Sequence, residues 1–143
     1  MKTKIGKFKR FKLIEHTADI GLIAYGQTLA EAFANAGYGL FSIITDLRKV
    51  RRTESRTIEI EGKDYESLLF EWLNRLVYLF DVEMLIFKRF DIERFNTYQL
   101  RAICHGEEYD SSRHQLKLGV KSATYYMLKV DNERNQVQVI FDI

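Results

Sequence analysis

Two short acidic segments, far apart in the sequence, hold the residues best suited to binding a metal ion. The first runs from Glu15 to Gly21, and the second is Phe141-Asp142-Ile143, with which the sequence ends. A C-terminal residue adds its own free carboxylate to that of Asp142, and carboxylate oxygens are preferred ligands of hard cations such as Ca²⁺ and Mg²⁺. If folding brings Asp19 beside this terminus, the expected result is a divalent metal site.

Each of these residues also has a structural interpretation. Asp19 could cap a tight turn, and Asp142 could belong to a solvated tail. His16 could donate a hydrogen bond that orients Asp19, or it could be a strand-end histidine with its own local partner. A site built only from oxygen ligands would favour Ca²⁺, Mg²⁺ or Mn²⁺ over Zn²⁺. Where the fold places the two segments decides between these interpretations.

The elements that must position the two segments can be predicted from the spacing of apolar residues. Thr28 and Glu31 have the spacing of a capping box and predict a helix that runs to about Thr45. Asp64 predicts the start of a second helix, whose apolar stripe includes Trp72. Runs typical of β-structure predict seven strands, at residues 11–15, 20–25, 56–61, 84–95, 98–105, 120–130 and 137–143.

This order of elements predicts an α+β fold in which two helices cover one face of a mostly antiparallel sheet. We expect a single domain over residues 1–143, because the length is that of an ordinary domain and no flexible linker interrupts the pattern. The pattern does not determine the order of the strands. If Asp19 and Asp142 are to meet, however, the first and last strands must be neighbours.

The composition is that of a folded protein in a reducing compartment. Hydrophobic residues make up 46% of the chain, far more than a disordered sequence contains. The single cysteine, Cys104, excludes an internal disulfide, and its apolar neighbours indicate a core position. No apolar run approaches the ~20 residues that cross a bilayer, and the N-terminus lacks the apolar region of a signal peptide. We therefore expect a cytoplasmic protein without a membrane anchor.

Two basic clusters stand out against a net charge of only +2. Either cluster could contact RNA or an acidic partner, or it could be solvated on an edge strand or in a loop. Direct contact with RNA is therefore left open by the sequence. The members of the clusters are Lys2, Lys4, Lys7, Lys9, Arg10 and Lys12 in the first, and Arg48, Lys49, Arg51 and Arg52 in the second.

Six segments, in order, resemble those that identify the archease family. Residues 15–21 match the family's Glu-His-Thr-Ala-Asp-Ile-Gly motif, and residues 28–33 match its Thr-Leu-x-Glu-Ala-Phe helix start. The other four are the second-helix sequence 68–74, the loop 106–114 with its Glu, Tyr, Asp and His, the strand 120–125, and the terminal residues 139–143. Tyr126 departs from a histidine that is frequent in microbial members, at a position that varies within the family.

The resemblance implies a protein cofactor rather than an independent enzyme. Archeases assist RtcB, the RNA ligase that joins tRNA exon halves, by promoting its guanylation and its multiple turnover. The family is also associated with chaperone-like modulation of tRNA cytosine-5 methyltransferases. The expected partner is thus an RtcB-type RNA ligase, and the alternative partner is a tRNA methyltransferase.

The resemblance also implies which residues bind metal. Family members hold an ion, commonly calcium, on the Asp of the first motif and on the Asp-Ile terminus, which correspond here to Asp19, Asp142 and Ile143. Residues that could support this site or belong to a partner surface, with structural roles as the alternative, are Glu15, His16, Asp46 and Lys121.

A metal-dependent hydrolase that uses the same carboxylates to activate water is a third hypothesis. It has little other support in the sequence. No nucleophile elbow, phosphate-binding glycine loop or paired His/Cys metal pattern occurs, and we therefore expect no catalytic residue in this chain.

Overall fold

The computed structural model of the chain describes residues 9–16 and 18–143. The strands are β1 (Phe11–His16), β2 (Asp19–Tyr25), β3 (Glu54–Glu61), β4 (Leu85–Phe95), β5 (Gln99–Glu108), β6 (Ser122–Asp131) and β7 (Gln136–Asp142). The helices are α1 (Leu29–Ile44), the short 3-10 helix η1 (Leu47–Lys49) and α2 (Tyr65–Glu83). The predicted strands and the two predicted α-helices are all present, with their ends shifted by a few residues.

Both α-helices begin where the sequence predicts a cap. The Thr28 hydroxyl accepts a hydrogen bond from the Glu31 N–H (3.1 Å), and the Glu31 carboxylate accepts one from the Gln27 N–H (2.6 Å). At the start of α2, the Asp64 carboxylate accepts from the Ser67 N–H (2.7 Å), and the Ser67 hydroxyl oxygen accepts in return from the Asp64 N–H (3.2 Å). These bonds satisfy N–H groups that the first turn of a helix leaves unpaired. The predicted caps are confirmed.

The strands form two antiparallel sheets, with strand orders β1-β2-β7-β6 and β3-β5-β4. The α+β class with two helices is confirmed, while the single sheet that the sequence suggested is divided in two. Two helices, each about 10 Å wide, cannot cover seven strands spaced about 4.8 Å apart. Dividing the strands lets both sheets bury a face against the same pair of helices, and each helix contacts strands of both sheets.

The core is formed by apolar side chains of the helices and of the inner faces of the sheets. Trp72 of α2 is fully buried, and its indole N–H donates to the Phe33 carbonyl of α1 (2.9 Å). Its ring packs edge-on against Phe90 of β4, with centroids 5.9 Å apart. The predicted position of Trp72 on the apolar stripe of α2 is therefore confirmed.

Some residues singled out in the sequence are not covered by this description. Lys2, Lys4 and Lys7 of the first basic cluster lie outside the described residues, as do Thr17 and the side chain of His16. Within residues 9–16 and 18–143, no helix combines the length and the apolar composition that crossing a bilayer requires.

Candidate functional site

Asp19 and Asp142 lie directly opposite each other on neighbouring strands. Asp19 is the first residue of β2, Asp142 is the last residue of β7, and the antiparallel register pairs their Cα positions. The same row continues to His16 of β1, which pairs with Asp19, and to Ser122 of β6, which pairs with Asp142. We call these four positions the carboxylate row. The fold thus brings the two acidic segments together at one end of the sheet.

β7 lies between β2 and β6, and not beside the first strand as the sequence predicted. In the order β1-β2-β7-β6, β1 is an edge strand. Residues 21–24 of β2 are buried in succession, which suits a central strand, whereas residues 12–15 of β1 are exposed. Because only two residues separate the end of β1 at His16 from the start of β2, Asp19 still lies at the end of the sheet where β7 stops.

The paired carboxylates lie on the face of the sheet that points away from the core. Successive residues of a strand alternate between the two faces. Phe141 and Val139 of β7 are fully buried in the core, and Leu22 of β2 pairs with Val139. Asp19 and Asp142 therefore belong to the outer face, where Asp142 is exposed and Asp19 is half-buried. A partner can approach this face from solvent.

No described residue forms an ion pair or a hydrogen bond with the side-chain carboxylate of Asp19 or Asp142. Directly opposed residues in an antiparallel pair have Cβ atoms about 4.5 to 5.5 Å apart, and like charges in this position repel each other. A cation bound between the carboxylates would remove that repulsion. Oxygen ligands suit a hard ion such as Ca²⁺ or Mg²⁺. The donor set therefore fits the predicted type of ion.

The two carboxylates alone do not complete a coordination shell. Among the described side chains, no group of three or more His, Cys, Asp and Glu residues is arranged to hold a metal ion. Further oxygen ligands could come from the Ser122 hydroxyl, Ile143, water or a partner. The Ile143 side chain packs against the core, which holds the last peptide unit beside the carboxylate row.

The structure separates the other predicted residues. The N–H of Lys121 donates to the Asp142 carbonyl (2.8 Å), so Lys121 borders the carboxylate row. Glu15 pairs with Ile20, so strand alternation places Glu15 on the opposite face of the sheet from Asp19. Among the described residues, neither Glu15 nor Lys121 forms a hydrogen bond or ion pair with the side-chain carboxylate of Asp19 or Asp142.

Asp46 has a structural role. It caps η1, accepting a hydrogen bond from the Arg48 N–H (3.0 Å) and pairing with the Arg48 guanidinium (2.8 Å). The hydrogen bonds from the Arg48 side chain and backbone lower the pKa of Asp46 to about 2. Asp46 lines a surface depression with Ser112 and Gln115.

A buried charged cluster, which the sequence pattern did not predict, surrounds Glu107 at the end of β5. Glu107 is 6% exposed, and the Arg113 guanidinium donates to both of its oxygens (2.6 and 3.0 Å). The Arg51 N–H donates to Oε2 (2.7 Å), and Nε2 of His114 lies 2.9 Å from the same oxygen. The hydrogen bonds from Arg113 are the largest cause that lowers the pKa of Glu107 to about 2. All the charge on Glu107 is therefore compensated internally.

The tautomer of His114 follows from its other contact. Nδ1 of His114 accepts a hydrogen bond from the Asp110 N–H (2.9 Å), so a neutral ring carries its proton on Nε2 and donates it to Glu107. Through Glu107, the cluster links the loop after β5, which holds Arg113 and His114, to Arg51 in the segment after η1. In the sequence, the only signal for it was the resemblance of the segment 106–114 to a family motif.

Cys104 is fully buried on β5, in agreement with the predicted core position. Burial raises the pKa of its thiol, because the thiolate would lose its hydration in the apolar interior. Cys104 is therefore a packing residue, and neither a nucleophile nor a metal ligand.

Comparison with known proteins gives one consistent result. Residues 11–143 match the sequence profile of the archease protein family. The chain is 38% identical over 135 residues to a protein archease from Sulfurisphaera tokodaii, covering 93% of this chain and 96% of the relative. It is 39% identical over 141 residues to a protein archease from Pyrococcus abyssi, covering 94% and 99%. The solution structure of Methanobacterium thermoautotrophicum protein 1598 has a TM-score of 0.78 and 32% sequence identity, and covers 95% of this chain and 100% of its own.

Proposed function

This chain belongs to the archease family, and we propose that it is a cytoplasmic protein cofactor that activates an RtcB-type RNA ligase. The proposed activity is to promote guanylation of the ligase and its multiple turnover in tRNA splicing. The observation that carries the proposal is the register pairing of Asp19 with Asp142 beside Ile143. This pairing supports a cation site on a surface that a partner protein can reach.

Asp19, Asp142 and the terminal carboxylate of Ile143 would hold a divalent cation, most simply Ca²⁺. The bound ion would supply positive charge and open coordination positions to an oxygen atom of the ligase or of its nucleotide. The contribution of the chain itself is positioning. Both carboxylates stand on central strands of one sheet, and the hydrogen bond from Lys121 to the Asp142 carbonyl (2.8 Å) further fixes the end of β7.

We propose no catalytic residue in this chain. Glu107 accepts hydrogen bonds from Arg113 and His114, and both ring nitrogens of His114 are occupied by Glu107 and the Asp110 N–H, so neither residue has a free position for a substrate. The remaining enzymatic hypothesis is hydrolysis of a phosphoester by a metal ion on Asp19 and Asp142. It would be supported by turnover of a phosphoester by the isolated protein, and it would be eliminated if ligase stimulation occurred without any such turnover.

A reconstituted ligation reaction tests the proposal. The ligase of the same organism, GTP and a divalent metal would be incubated with excess tRNA exon halves, with and without this protein. We expect more than one product per ligase molecule only when the protein is present. Equal product yields in the two reactions would refute activation.

Variants of the carboxylate row link that activity to the site. Asp19→Asn and Asp142→Asn keep the size of each side chain but remove its charge, so each should reduce ligase stimulation at least about tenfold, equivalent to ~1.4 kcal/mol. Neither change should lower the midpoint of thermal unfolding, since both side chains lie outside the core. Asp81→Asn, at an exposed position of α2, is the matched control and should stimulate the ligase as the unmodified protein does.

Modulation of a tRNA cytosine-5 methyltransferase is the second candidate, and one feature favours it. Tyr125, Tyr126 and Met127 on edge strand β6 are 56%, 58% and 45% exposed, and the Tyr125 ring stacks on Phe70 (4.1 Å between centroids). An exposed apolar surface of this kind marks protein contact sites. Light scattering of the methyltransferase and mapping of its methylation sites would test this candidate. Unchanged aggregation together with unchanged methylation sites would reject it.

A further inference from the structure

A groove lined by cations lies at the other end of β1 from the carboxylate row. Arg10 precedes β1, and its carbonyl accepts a hydrogen bond from the Tyr25 N–H at the end of β2 (2.9 Å), whereas His16 and Asp19 stand at the opposite end of the same pair of strands. We call this feature the basic groove. Its charged and aromatic lining residues are Arg10, Glu31, Tyr38, Arg52, Lys88, Arg89 and Phe90.

Two of the cations are held in place by uncharged partners. The Arg10 guanidinium lies over the Tyr38 ring, 4.2 Å from its centroid. The Lys88 ammonium donates to the Val50 carbonyl (2.8 Å). A cation held by an aromatic ring or a carbonyl is positioned but keeps its full charge, and each group retains N–H donors for a ligand.

The other charges of the groove leave an excess of positive charge. Arg52 is exposed and forms no ion pair or hydrogen bond with any described residue. Arg89 alone has a carboxylate partner, Asp91 (3.1 Å). Among the described residues, Glu31 is the only carboxylate that lines the groove, and one of its oxygens accepts from the Gln27 N–H. The described lining therefore carries an excess of positive charge and several guanidinium and ammonium donors.

The groove offers a protein partner little exposed apolar surface, because the two aromatic rings that line it, Tyr38 and Phe90, are half-buried and pack against the core. Stable protein interfaces are built around buried aromatic or aliphatic anchors. The large apolar side chains that the described surface exposes, such as Leu13, Tyr98 and Tyr125, do not line the groove. Interfaces with nucleic acids are instead polar and strongly positive. The lining of the groove matches the second class.

We propose that the basic groove binds the phosphate backbone of single-stranded RNA. The positive charge of the groove does not depend on the proposed function, but the choice of RNA over other polyanions rests on it, because an activator of a tRNA-splicing ligase works beside RNA. Arg10, Arg52 and Lys88 would contact phosphates, without reading the base sequence. The sequence immediately before Arg10 carries further lysines, which would add to the attraction.

Fluorescence anisotropy tests the proposal directly, using the full chain, no ligase and a labelled oligouridine of about 16 nucleotides. Binding should weaken as salt rises from about 50 to 200 mM, because neutralised phosphates release counterions. The double variant Arg52→Gln/Lys88→Gln should bind at least about tenfold more weakly. Its logarithmic salt slope should be shallower by about 1.4, or about 0.7 for each phosphate that the variant no longer neutralises.

Arg75→Gln/Arg94→Gln is the matched control. These two cations line a different groove, beside Glu59 and Glu61, and removing them changes the net charge equally. The control should bind RNA within about twofold of the unmodified protein, an effect near 0.4 kcal/mol. The single variant Arg52→Gln, which breaks no described contact, keeps the test valid if loss of the Lys88 bond disturbs folding, and it should still weaken binding measurably.

Three results would overturn the proposal: no RNA binding at the lowest salt, equal losses in the groove and control variants, or displacement of RNA by oligoglutamate of the same charge and at the same concentration. The last result would indicate an acidic protein partner. Since the reaction contains no ligase, absence of RNA binding would leave the proposed activation of the ligase standing. Conversely, an inactive Asp142→Asn protein that still binds RNA would leave this inference standing.

Discussion

At the scale of single residues, the chain holds its carboxylates in two contrasting environments. Glu107 is buried and receives hydrogen bonds from Arg113, His114 and a backbone N–H. Asp19 and Asp142 face each other on an accessible surface and have no partner among the described residues. A carboxylate with every partner supplied can only stabilise the fold. A pair of carboxylates without partners has both the capacity and an electrostatic reason to bind a cation.

The compensation of Glu107 predicts a stability cost when its charge is removed. Glu107→Gln should lower the free energy of unfolding by about 2 to 3 kcal/mol, less than a fully buried pair would lose, because Arg113 is 29% exposed and remains partly solvated. Urea unfolding at neutral pH measures the change. Glu108→Gln, at the exposed neighbouring position, is the control and should change stability little. Equal stability of both variants would show that the cluster contributes nothing.

The same group predicts a pH dependence. The pKa of Glu107 falls from 4.5 to about 2 on folding, so between these values the unfolded chain binds a proton that the folded chain does not. The stability from this group is therefore complete above pH 4.5 and is lost as the pH falls toward 2. Urea unfolding across this range should show a smaller loss for Glu107→Gln than for the unmodified protein, and identical slopes would contradict the assignment.

The sequence identified Asp19 and Asp142 but not the role of Glu107, for a physical reason. Asp19 and Asp142 are recognisable from an acidic segment and from their place in strands, and the match to family motifs adds to this. The partners of Glu107 include the N–H of Arg51, which lies 56 residues earlier. That contact depends on how β3 and β5 pair and on the path of the loop after η1, which local periodicity does not encode.

At the scale of elements, two helices join two sheets that share no strand. Trp72 contributes to this joining, since its side chain on α2 donates a hydrogen bond to the backbone of α1 and packs on Phe90 of β4. The sequence predicted the extent of both helices well because caps and 3.6-residue periodicity are local signals. It could not predict the division into two sheets, because pairing between distant strands is not visible in a single sequence.

Replacing Trp72 should reveal this joining role. Trp72→Ala should cost about 3 to 5 kcal/mol of unfolding free energy through loss of a buried aromatic side chain. Trp72→Phe should cost less, because it keeps an aromatic ring but leaves the Phe33 carbonyl without its donor. Chemical denaturation gives both values. A loss below about 1 kcal/mol for Trp72→Ala would be inconsistent with its position in the core.

At Gly106 the backbones of β4 and β5 approach each other closely. A methyl group at this position would overlap the carbonyl oxygen of Ile86, and the pairing of the two strands changes register nearby, between Phe87 and Arg89. Gly106→Ala should therefore cost about 3 kcal/mol or more, since backbone must move to admit the methyl group. Gly119→Ala, where nothing lies within 4 Å, should stay within about 0.5 kcal/mol. Thermal unfolding of the two variants would compare them, and similar midpoints would contradict the close approach.

At the scale of the whole molecule, the β1–β2 pair separates two charged surfaces of opposite sign. The carboxylate row lies at one end of these strands, and Arg10 of the basic groove lies at the other. The sequence located the acidic segments and the basic clusters, but their grouping into two surfaces required the fold. Lys88 lies on β4 and Arg52 lies in the connection between η1 and β3, yet both line the same groove. The arrangement suits the two proposed contacts, with a ligase at one end and with RNA at the other.

The central claim is that Asp19 and Asp142 together hold a divalent cation. Calorimetric titration of the purified chain with Ca²⁺, in buffer first freed of metal by a chelator, tests it most directly. We expect one ion per chain, with binding weakened at least about tenfold in Asp19→Asn and in Asp142→Asn, equivalent to ~1.4 kcal/mol, and unchanged in Asp81→Asn. Binding that is identical in all four proteins, or absent from the unmodified chain at millimolar Ca²⁺, would contradict the account.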